Sequence, residues 1–343
     1  MRIAIVGATG NVGTSTVGAL AADPGVTSVL GLARRTPDWP IPKVEWAAAD
    51  VTTTDLTPLF READAVIHLA WAFQPTHDTE ATWRTNVLGS LRVFEAVAEA
   101  GVPALVYASS VGAYSPGPKD RAVDESWPTH GWPGASYTRE KAYVERILDA
   151  FELRHPECRL VRLRPGFIFK RGSAQEQRRI FGGPLLPNID ARLLPIVPDV
   201  PNLRFQTVAT EDIAEAYRLA ALGQARGAFN IAADPVIGTA ELADLLSARP
   251  VRVPAALART ALAVGWHLNL VPASPGLFDA VLRLPIMDVT RARHELGWTP
   301  RHSATEALQE FFTGLREGDG LPTPPLAARP GSRLREFLTS RRA

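Results

Sequence analysis

Cysteine is almost missing from this chain of 343 residues: Cys158 stands alone. A single cysteine excludes an internal disulfide framework and fits a reducing compartment. With seven histidines beside it, no spacing suggests a metal centre, and none is expected. Net charge is also nearly absent, at +1, which argues against broad electrostatic binding of nucleic acid. Long apolar runs are lacking too. The longest mostly apolar stretch, Val253 to Val271, is interrupted by Pro254, Arg259 and His267, so no membrane span is expected. The opening Met1-Arg2-Ile3-Ala4-Ile5-Val6 reaches a glycine too soon for a signal peptide. A cytoplasmic protein without membrane or nucleic-acid partners is the expectation.

What is abundant is rhythm. Ile3–Val6, Ser28–Ala33, Val44–Ala47, Ala65–Leu69, Ala104–Ser109 and Arg159–Leu163 read as strands. Asn11–Ala22, Asp55–Phe60, Asp78–Ala100 and Ala135–Phe151 read as helices. Alternating β and α segments predict a parallel sheet covered on both faces, and the largely apolar strands suit burial on both sides. The fold class is therefore α/β, a doubly wound parallel sheet over residues 1–165. After Arg164-Pro165-Gly166 the rhythm breaks and Pro184, Pro187, Pro195, Pro198 and Pro201 crowd together. Residues 166–320 are expected to form a smaller, mixed, mainly substrate-binding region, with returns to the sheet near Phe205–Val208 and Ala228–Ile231. Residues 321–343 are Pro-rich, then basic through Arg329, Arg333, Arg335, Arg341 and Arg342, and read as a surface tail.

The first strand runs into Gly7-Ala8-Thr9-Gly10-Asn11-Val12-Gly13, and a helix follows. A strand, a tight glycine turn and a helix N-terminus form a dinucleotide phosphate site. Gly7 allows the turn, Gly10 lets backbone approach the pyrophosphate, and Gly13 permits close helix packing. Thr9, Asn11 and Val12 complete the turn. The second strand ends Ala33-Arg34-Arg35. An NAD site normally carries an acid here for the ribose 2′-hydroxyl, whereas a 2′-phosphate needs cations. Arg34 and Arg35 therefore favour NADP(H), with NAD(H) possible; the plainer reading is two solvated arginines. Tyr137-Thr138-Arg139-Glu140-Lys141 puts a phenol and an ammonium on one helix face. An ammonium beside a phenol lowers its pKa and lets it exchange a proton near neutral pH. Such pairs are also common surface decoration, and context must decide.

The context is the segment Tyr107-Ala108-Ser109-Ser110-Val111-Gly112-Ala113-Tyr114. Together with the G-x-x-G-x-x-G turn and Y-x-x-x-K, in that order, it resembles the extended short-chain dehydrogenases/reductases of the NAD-dependent epimerase/dehydratase superfamily. Arg164-Pro165-Gly166, Phe205-Gln206-Thr207-Val208, Glu211-Asp212-Ile213-Ala214, Phe229-Asn230-Ile231 and Thr290 to Pro300 extend the resemblance over about residues 1 to 315. The resemblance implies Ser110, Tyr137 and Lys141 as the catalytic set, Ser109 replacing Ser110 if the alignment slips by one. It implies cofactor contacts from Asp50 and Val51 at the adenine edge (a turn aspartate is the alternative), from Leu69 and Ala70 beneath the nucleotide, and from Pro165. Asn86 would organise the site, and His68 reads as a hydrogen-bonded core histidine.

Among the superfamily's chemistries, dehydratases follow the active-site Ser/Thr with acids, where this chain has Val111 and Gly112. Epimerases carry an acid after the second strand, where it has Arg34. Reduction of a carbonyl, or oxidation of an alcohol, is favoured. A nucleotide-sugar epimerase is the alternative, kept alive by Arg204, Arg178 and Arg179, and a non-catalytic NADP sensor is a third reading. Trp71, Phe73, Trp83, Trp127, His130 and Trp132 are either an apolar pocket for a small-molecule substrate or core. The family resemblance implies a homodimer through the Asp78–Ala100 and Ala135–Phe151 helices, whose Val87, Leu91, Phe94, Val144, Ile147 and Leu148 are equally able to pack on the sheet.

Overall fold

The computed structural model describes residues 1–74, 76–182 and 195–328. Pro184, Pro187 and the basic stretch from Arg329 onward lie outside the described residues. Seven strands make one parallel sheet: β1 (Arg2–Val6), β2 (Ser28–Ala33), β3 (Val44–Ala48), β4 (Ala65–His68), β5 (Ala104–Ala108), β6 (Arg159–Pro165) and a later edge strand, Gly227–Ile231. The spatial order from that edge is Gly227–Ile231, β6, β5, β4, β1, β2, β3. The order reverses between β1 and β4, and ligands of such sheets bind in the crevice at the carboxyl ends beside this reversal.

Neighbouring residues of one strand serve opposite cores. Ile3 and Ile5 pack with Val17 and Leu20 of helix α1 (Asn11–Ala22). Ala4 and Val6 pack with Phe94 and Val97 of α2 (Gly89–Glu99) and Val144 and Leu148 of α3 (Ser136–Arg154). Burial on both faces explains why these strands are continuous apolar runs rather than alternating ones. It also draws Val87, Phe94, Val144 and Leu148 into the chain's own core.

Strand β6 departs from that rule, carrying Arg159, Arg162 and Arg164, all buried. Arg159 faces one side and donates to Ala220 O, Ala221 O and Ala225 O, three carbonyls at and beyond the C-terminal end of the Thr210–Leu222 helix, where a cation is favoured. Arg162 and Arg164 face the other side and meet Glu145 of α3. The helix expected over Asp78–Ala100 is wound in three parts, Thr79–Trp83, a wider turn over Arg84–Leu88, and α2. The wide turn carries Asn86, as such turns often do near working side chains.

Two expectations for the C-terminal half need correction. Phe205–Ala209 does not rejoin the main sheet. It is the middle strand of a separate three-stranded sheet, parallel to Phe167–Phe169 and antiparallel to Ala233–Ile237. The return is made by Gly227–Ile231 beside β6. The start of the supposed surface tail is also packed: Thr323 is 2% exposed and Leu326 fully buried. Among the described residues no helix is long and apolar enough to cross a membrane.

Candidate active site

Three chain crossings meet at the carboxyl edge of the sheet. Gly7, at φ +88, turns the chain out of β1, and a Cβ there would lie 2.6 Å from Ala70 N just beyond β4. The glycine is thus required both by conformation and by contact. At Gly13 a Cβ would lie 2.3 Å from Gly7 O, so only glycine lets α1 start against the turn. The carbonyls of the turn are held from several sides. Gly10 O accepts from Thr14 N at 3.0 Å and Thr14 Oγ1 at 3.1 Å. Asn11 O accepts from Lys170 Nζ at 2.7 Å. Thr9 O accepts from Thr323 Oγ1 at 2.9 Å. The Asn11 side chain points into the protein, donating to Ile168 O and accepting from Thr210 Oγ1. No side chain caps α1, so its first N–H groups, including those of Asn11 and Val12, are left for an anion. These features fit a dinucleotide diphosphate. Lys170, missed in the sequence, is driven by burial down to about 8.

Beyond β2, Arg34 and Arg35 are exposed and Ala33 is buried. No carboxylate replaces Ala33, and Asp50, an acid within electrostatic reach of Arg34, is engaged otherwise. Its Oδ1 accepts from Thr52 N at 2.8 Å and Thr52 Oγ1 at 2.7 Å. These two bonds, with Arg34 adding attraction, lower its pKa. The turn-forming role of Asp50 is therefore present whether or not adenine also contacts it. Val51 is buried against Gly89. Leu69 and Ala70 follow β4 under the glycine turn. His68 is a core histidine: Nε2 pairs with Ser90 Oγ at 2.9 Å, and burial, with Lys141 nearby, drives its pKa down to about 3.

Ser110, Tyr137 and Lys141 come together. The Tyr137 hydroxyl donates to Ser110 Oγ at 2.9 Å, so Ser110 is the serine that meets the tyrosine. The Ser109 hydroxyl instead donates to Glu145 at 2.5 Å. Gly112 passes under the phenol ring, since a Cβ there would lie 2.7 Å from Tyr137 Cε1. Lys141 is buried and donates to Ala108 O at 2.7 Å. Its ammonium sits 3.4 Å from the centroid of the Trp71 indole and 6.0 Å from that of Tyr137. That placement corrects one expectation. Burial pushes the Tyr137 phenol up to about 12, partly offset by the Ser110 bond. The ammonium faces the indole rather than the phenol, and burial holds Lys141 well below its ordinary value.

Of the supports behind this group, Asn86 was implied by the resemblance, whereas Glu145 carried little sequence signal. Asn86 Nδ2 donates to Glu140 at 2.7 Å and to Ala72 O at 2.8 Å, and its Oδ1 accepts from Ala72 N. It clips the loop after β4 to α3. Glu145, eight residues beyond Tyr137 on α3, is fully buried between Arg162, Arg164 and Ser109. Burial alone would raise its carboxyl, but the two guanidiniums and the serine hold it at about 2. The clue in the sequence was two arginines at alternate positions of a strand otherwise built to be apolar.

Of the six candidate pocket residues, Trp71 and Phe73 reach the tyrosine. Phe73 stacks on Tyr137 with centroids 5.0 Å apart, and Phe181 meets Phe73 edge-on at 5.7 Å. Trp83 lies against Tyr143, a half-exposed residue. Trp127 joins the cluster of Tyr114 and Leu284, Trp132 lies under Arg283, and His130 is exposed. The three candidate diphosphate arginines are engaged with the protein: Arg204 with Lys119 O, Arg178 with Gln175, and Arg179 with Pro325 O and Ala327 O.

The same segment order, glycine turn through the Phe229–Ile231 strand, matches a family model over residues 3–232, described as the NAD dependent epimerase/dehydratase family. The chain belongs to this family. It is accordingly an NAD(P)-dependent enzyme of the extended short-chain dehydrogenase/reductase type. Family relatives include a dTDP-6-deoxy-L-talose 4-dehydrogenase (NAD(P)(+)) of Kitasatospora kifunensis, 29% identical over 91% of this chain and 95% of its own length. An L-arabinose 1-dehydrogenase (NAD(P)(+)) of Haloferax volcanii is 38% identical over 32% of this chain and 41% of its own. Among solved structures, the UDP-glucose 4-epimerase of Thermus thermophilus, in complex with NAD, aligns with a TM-score of 0.67 at 21% identity. That alignment covers 92% of this chain and 99% of the other. The likeness is one of fold.

Proposed function

We propose that the chain is an NADP(H)-dependent oxidoreductase that reduces a carbonyl group of a small molecule, or oxidises the corresponding alcohol. The observation that carries this reading is the Tyr137–Ser110 hydrogen bond at 2.9 Å beside buried Lys141. In this reading Gly7, Thr9, Gly10, Asn11, Val12 and Gly13 cradle the diphosphate. Arg34 and Arg35 take the 2′-phosphate, and Asp50 and Val51 the adenine edge. Leu69, Ala70, Asn86, Pro165, Tyr137 and Lys141 line the nicotinamide end. When bound, the nicotinamide supplies or accepts a hydride. Ser110 and Tyr137 hydrogen-bond the substrate oxygen, and Tyr137 Oη gives it a proton. Lys141 orients the ribose. Net redox chemistry is favoured over epimerisation by Arg34 in place of an acid and by the two dehydrogenase relatives. Elimination is disfavoured because Val111 and Gly112 supply no acid after Ser110. A homodimer extends the proposal; exposed Leu88, Tyr143 and Leu153 lie on or beside α2 and α3.

The test is turnover of a panel of ketones and aldehydes with NADPH, followed by absorbance, for the wild type and Tyr137→Phe. Loss of the proton donor is expected to lower kcat by about a thousandfold. Because burial holds Tyr137 protonated through the neutral range, reduction should be insensitive to pH there, while alcohol oxidation should rise with pH. Undiminished turnover by the phenylalanine variant would defeat the proposal. An epimerised sugar product without net absorbance change would replace it with the epimerase reading.

A further inference from the structure

The chain's first loop and its last described segment are joined. Residues 321–328 follow the Ala304–Glu317 helix and form a small closed loop. Leu321 N donates to Leu326 O at 2.9 Å, and Leu326 N to Thr323 O at 3.1 Å. At Gly320 a Cβ would lie 2.4 Å from Ala328 N, so the two ends of the loop touch. The loop is anchored from outside by Arg179, whose guanidinium donates to Pro325 O at 2.8 Å and Ala327 O at 3.1 Å. Leu326 is wholly buried. From this anchored loop Thr323 reaches the glycine turn: its buried hydroxyl donates to Thr9 O at 2.9 Å, across 314 residues of sequence.

We infer that residues 321–328 are a latch of the dinucleotide site, with Thr323 as a positioning residue that sets the glycine turn for the cofactor diphosphate. The inference rests on the cofactor reading above. A bond to Thr9 O fixes the peptide plane between Thr9 and Gly10. It thereby holds the turn in which the Gly10 N–H donates to Gly7 O at 3.3 Å, and sets the chain entering Asn11 and Val12, whose N–H groups would take the anion. Thr14 and Lys170 hold the next two carbonyls from the body of the protein, whereas Thr9 O is held by a segment that nothing in the dinucleotide motif encodes. A turn fixed before binding spends less of its binding energy on ordering. Through Arg179 the latch is also tied to the turn beside Tyr137. Arg179 lies in the turn Arg178–Gly182, which also carries Phe181, and Phe181 meets the Phe73 ring on Tyr137.

The experiment is fluorescence titration of the full chain with NADPH and with NADH, for the wild type, Thr323→Val and Thr323→Ser. Thermal melts and steady-state kinetics are run beside it. Valine keeps the shape and removes the donor. It should raise Kd for both dinucleotides by about fivefold, the loss expected for one hydrogen bond. It should raise the cofactor KM to match and leave kcat unchanged, and serine should restore wild-type affinity. Exchange of the Leu321 and Leu326 amides should slow further on saturation with NADPH. If the valine variant binds both dinucleotides as the wild type does, the latch is overturned, whatever its melting temperature. If the wild type itself binds neither, the cofactor reading falls, and it does so before any variant is compared.

Discussion

The proposed nucleotide end and the proposed substrate end of this site are made differently. The nucleotide end is built from backbone: the glycine turn, the loop after β4 and the first N–H groups of α1. Its demands are steric, as at Gly13, where any side chain would strike Gly7 O. The substrate end is built from side chains delivered by separate segments, with Phe73 from the loop after β4, Tyr137 from α3 and Phe181 from the C-terminal half. Backbone sites confine sequence to glycines at fixed spacing. Side-chain walls demand only that something apolar arrive, and many segments can deliver it. Behind the Ser110 segment stands the buried brace of Glu145, which ties α3 to β6 and to Ser109.

The largest effect should follow from breaking that brace. Glu145 ties α3, and with it Tyr137 and Lys141, to Arg162 and Arg164 on β6 and to Ser109 beside Ser110. Glu145→Gln leaves buried Arg164 without its counter-charge, which typically costs about 3 to 5 kcal/mol, while Arg162 keeps Asp149 and Glu152. A denaturant melt should show that loss, with turnover falling in the fraction that stays folded. The same carboxyl, held at about 2 against an ordinary 4.5, contributes stability that is present above the ordinary value. It is lost as the pH falls from there through about 2. The glutamine variant should therefore show a shallower acid transition than the wild type. A melt unchanged by the substitution would mean that the strand and helix are held by their apolar packing alone.

Legibility followed the same division. The parallel sheet, the glycine turn and the Tyr137 and Lys141 candidates stand in the sequence because each is a local pattern: an apolar run, a spacing of glycines, a phenol and an amine one helical turn apart; Ser110 came only with the family resemblance. Glu145 and Lys170 do not, since their partners lie on other elements and a lone charge in a helix or loop looks solvated. The contact between Thr323 and Thr9 could not be read at all, because no local pattern links positions so far apart. Phe205–Ala209 was legible as a strand but not as a member of a second sheet. Strand propensity does not name the partner. Trp83, Trp127 and Trp132 were aromatic enough for a pocket and were used elsewhere for packing.

An intermediate effect should come from the nucleotide end. Arg34→Asp places a carboxylate where a 2′-phosphate is proposed to sit and restores an acceptor for a ribose hydroxyl. Preference for NADPH over NADH should fall by about 10- to 100-fold, read as the ratio of Kd values, as expected for losing a charge-assisted bond and gaining a repulsion. The change should leave the melting temperature in place, because Arg34 is exposed. An unchanged ratio would mean that Arg34 is a solvated end of β2 and that the preference, if any, is set elsewhere.

The smallest effect tests the substrate wall. Phe73 is 37% exposed and yet stacks at 13° on the Tyr137 ring, so its outer face is open to a ligand while its inner face supports the tyrosine. An aromatic pair of this kind contributes about 0.5–1.5 kcal/mol, roughly a 2- to 12-fold change in an equilibrium constant. If the wall binds apolar substrate, Phe73→Ala should raise KM for aromatic ketones by about that factor. Small aliphatic carbonyls should be less affected, and kcat nearly unchanged, since uniform binding is what is removed. If kcat falls instead and KM holds, Phe73 acts through the tyrosine, by keeping its ring in place over Gly112. The substrate end would then resemble the nucleotide end more than its loose construction suggests, with even its exposed aromatic serving to fix a reacting group rather than to recognise a ligand.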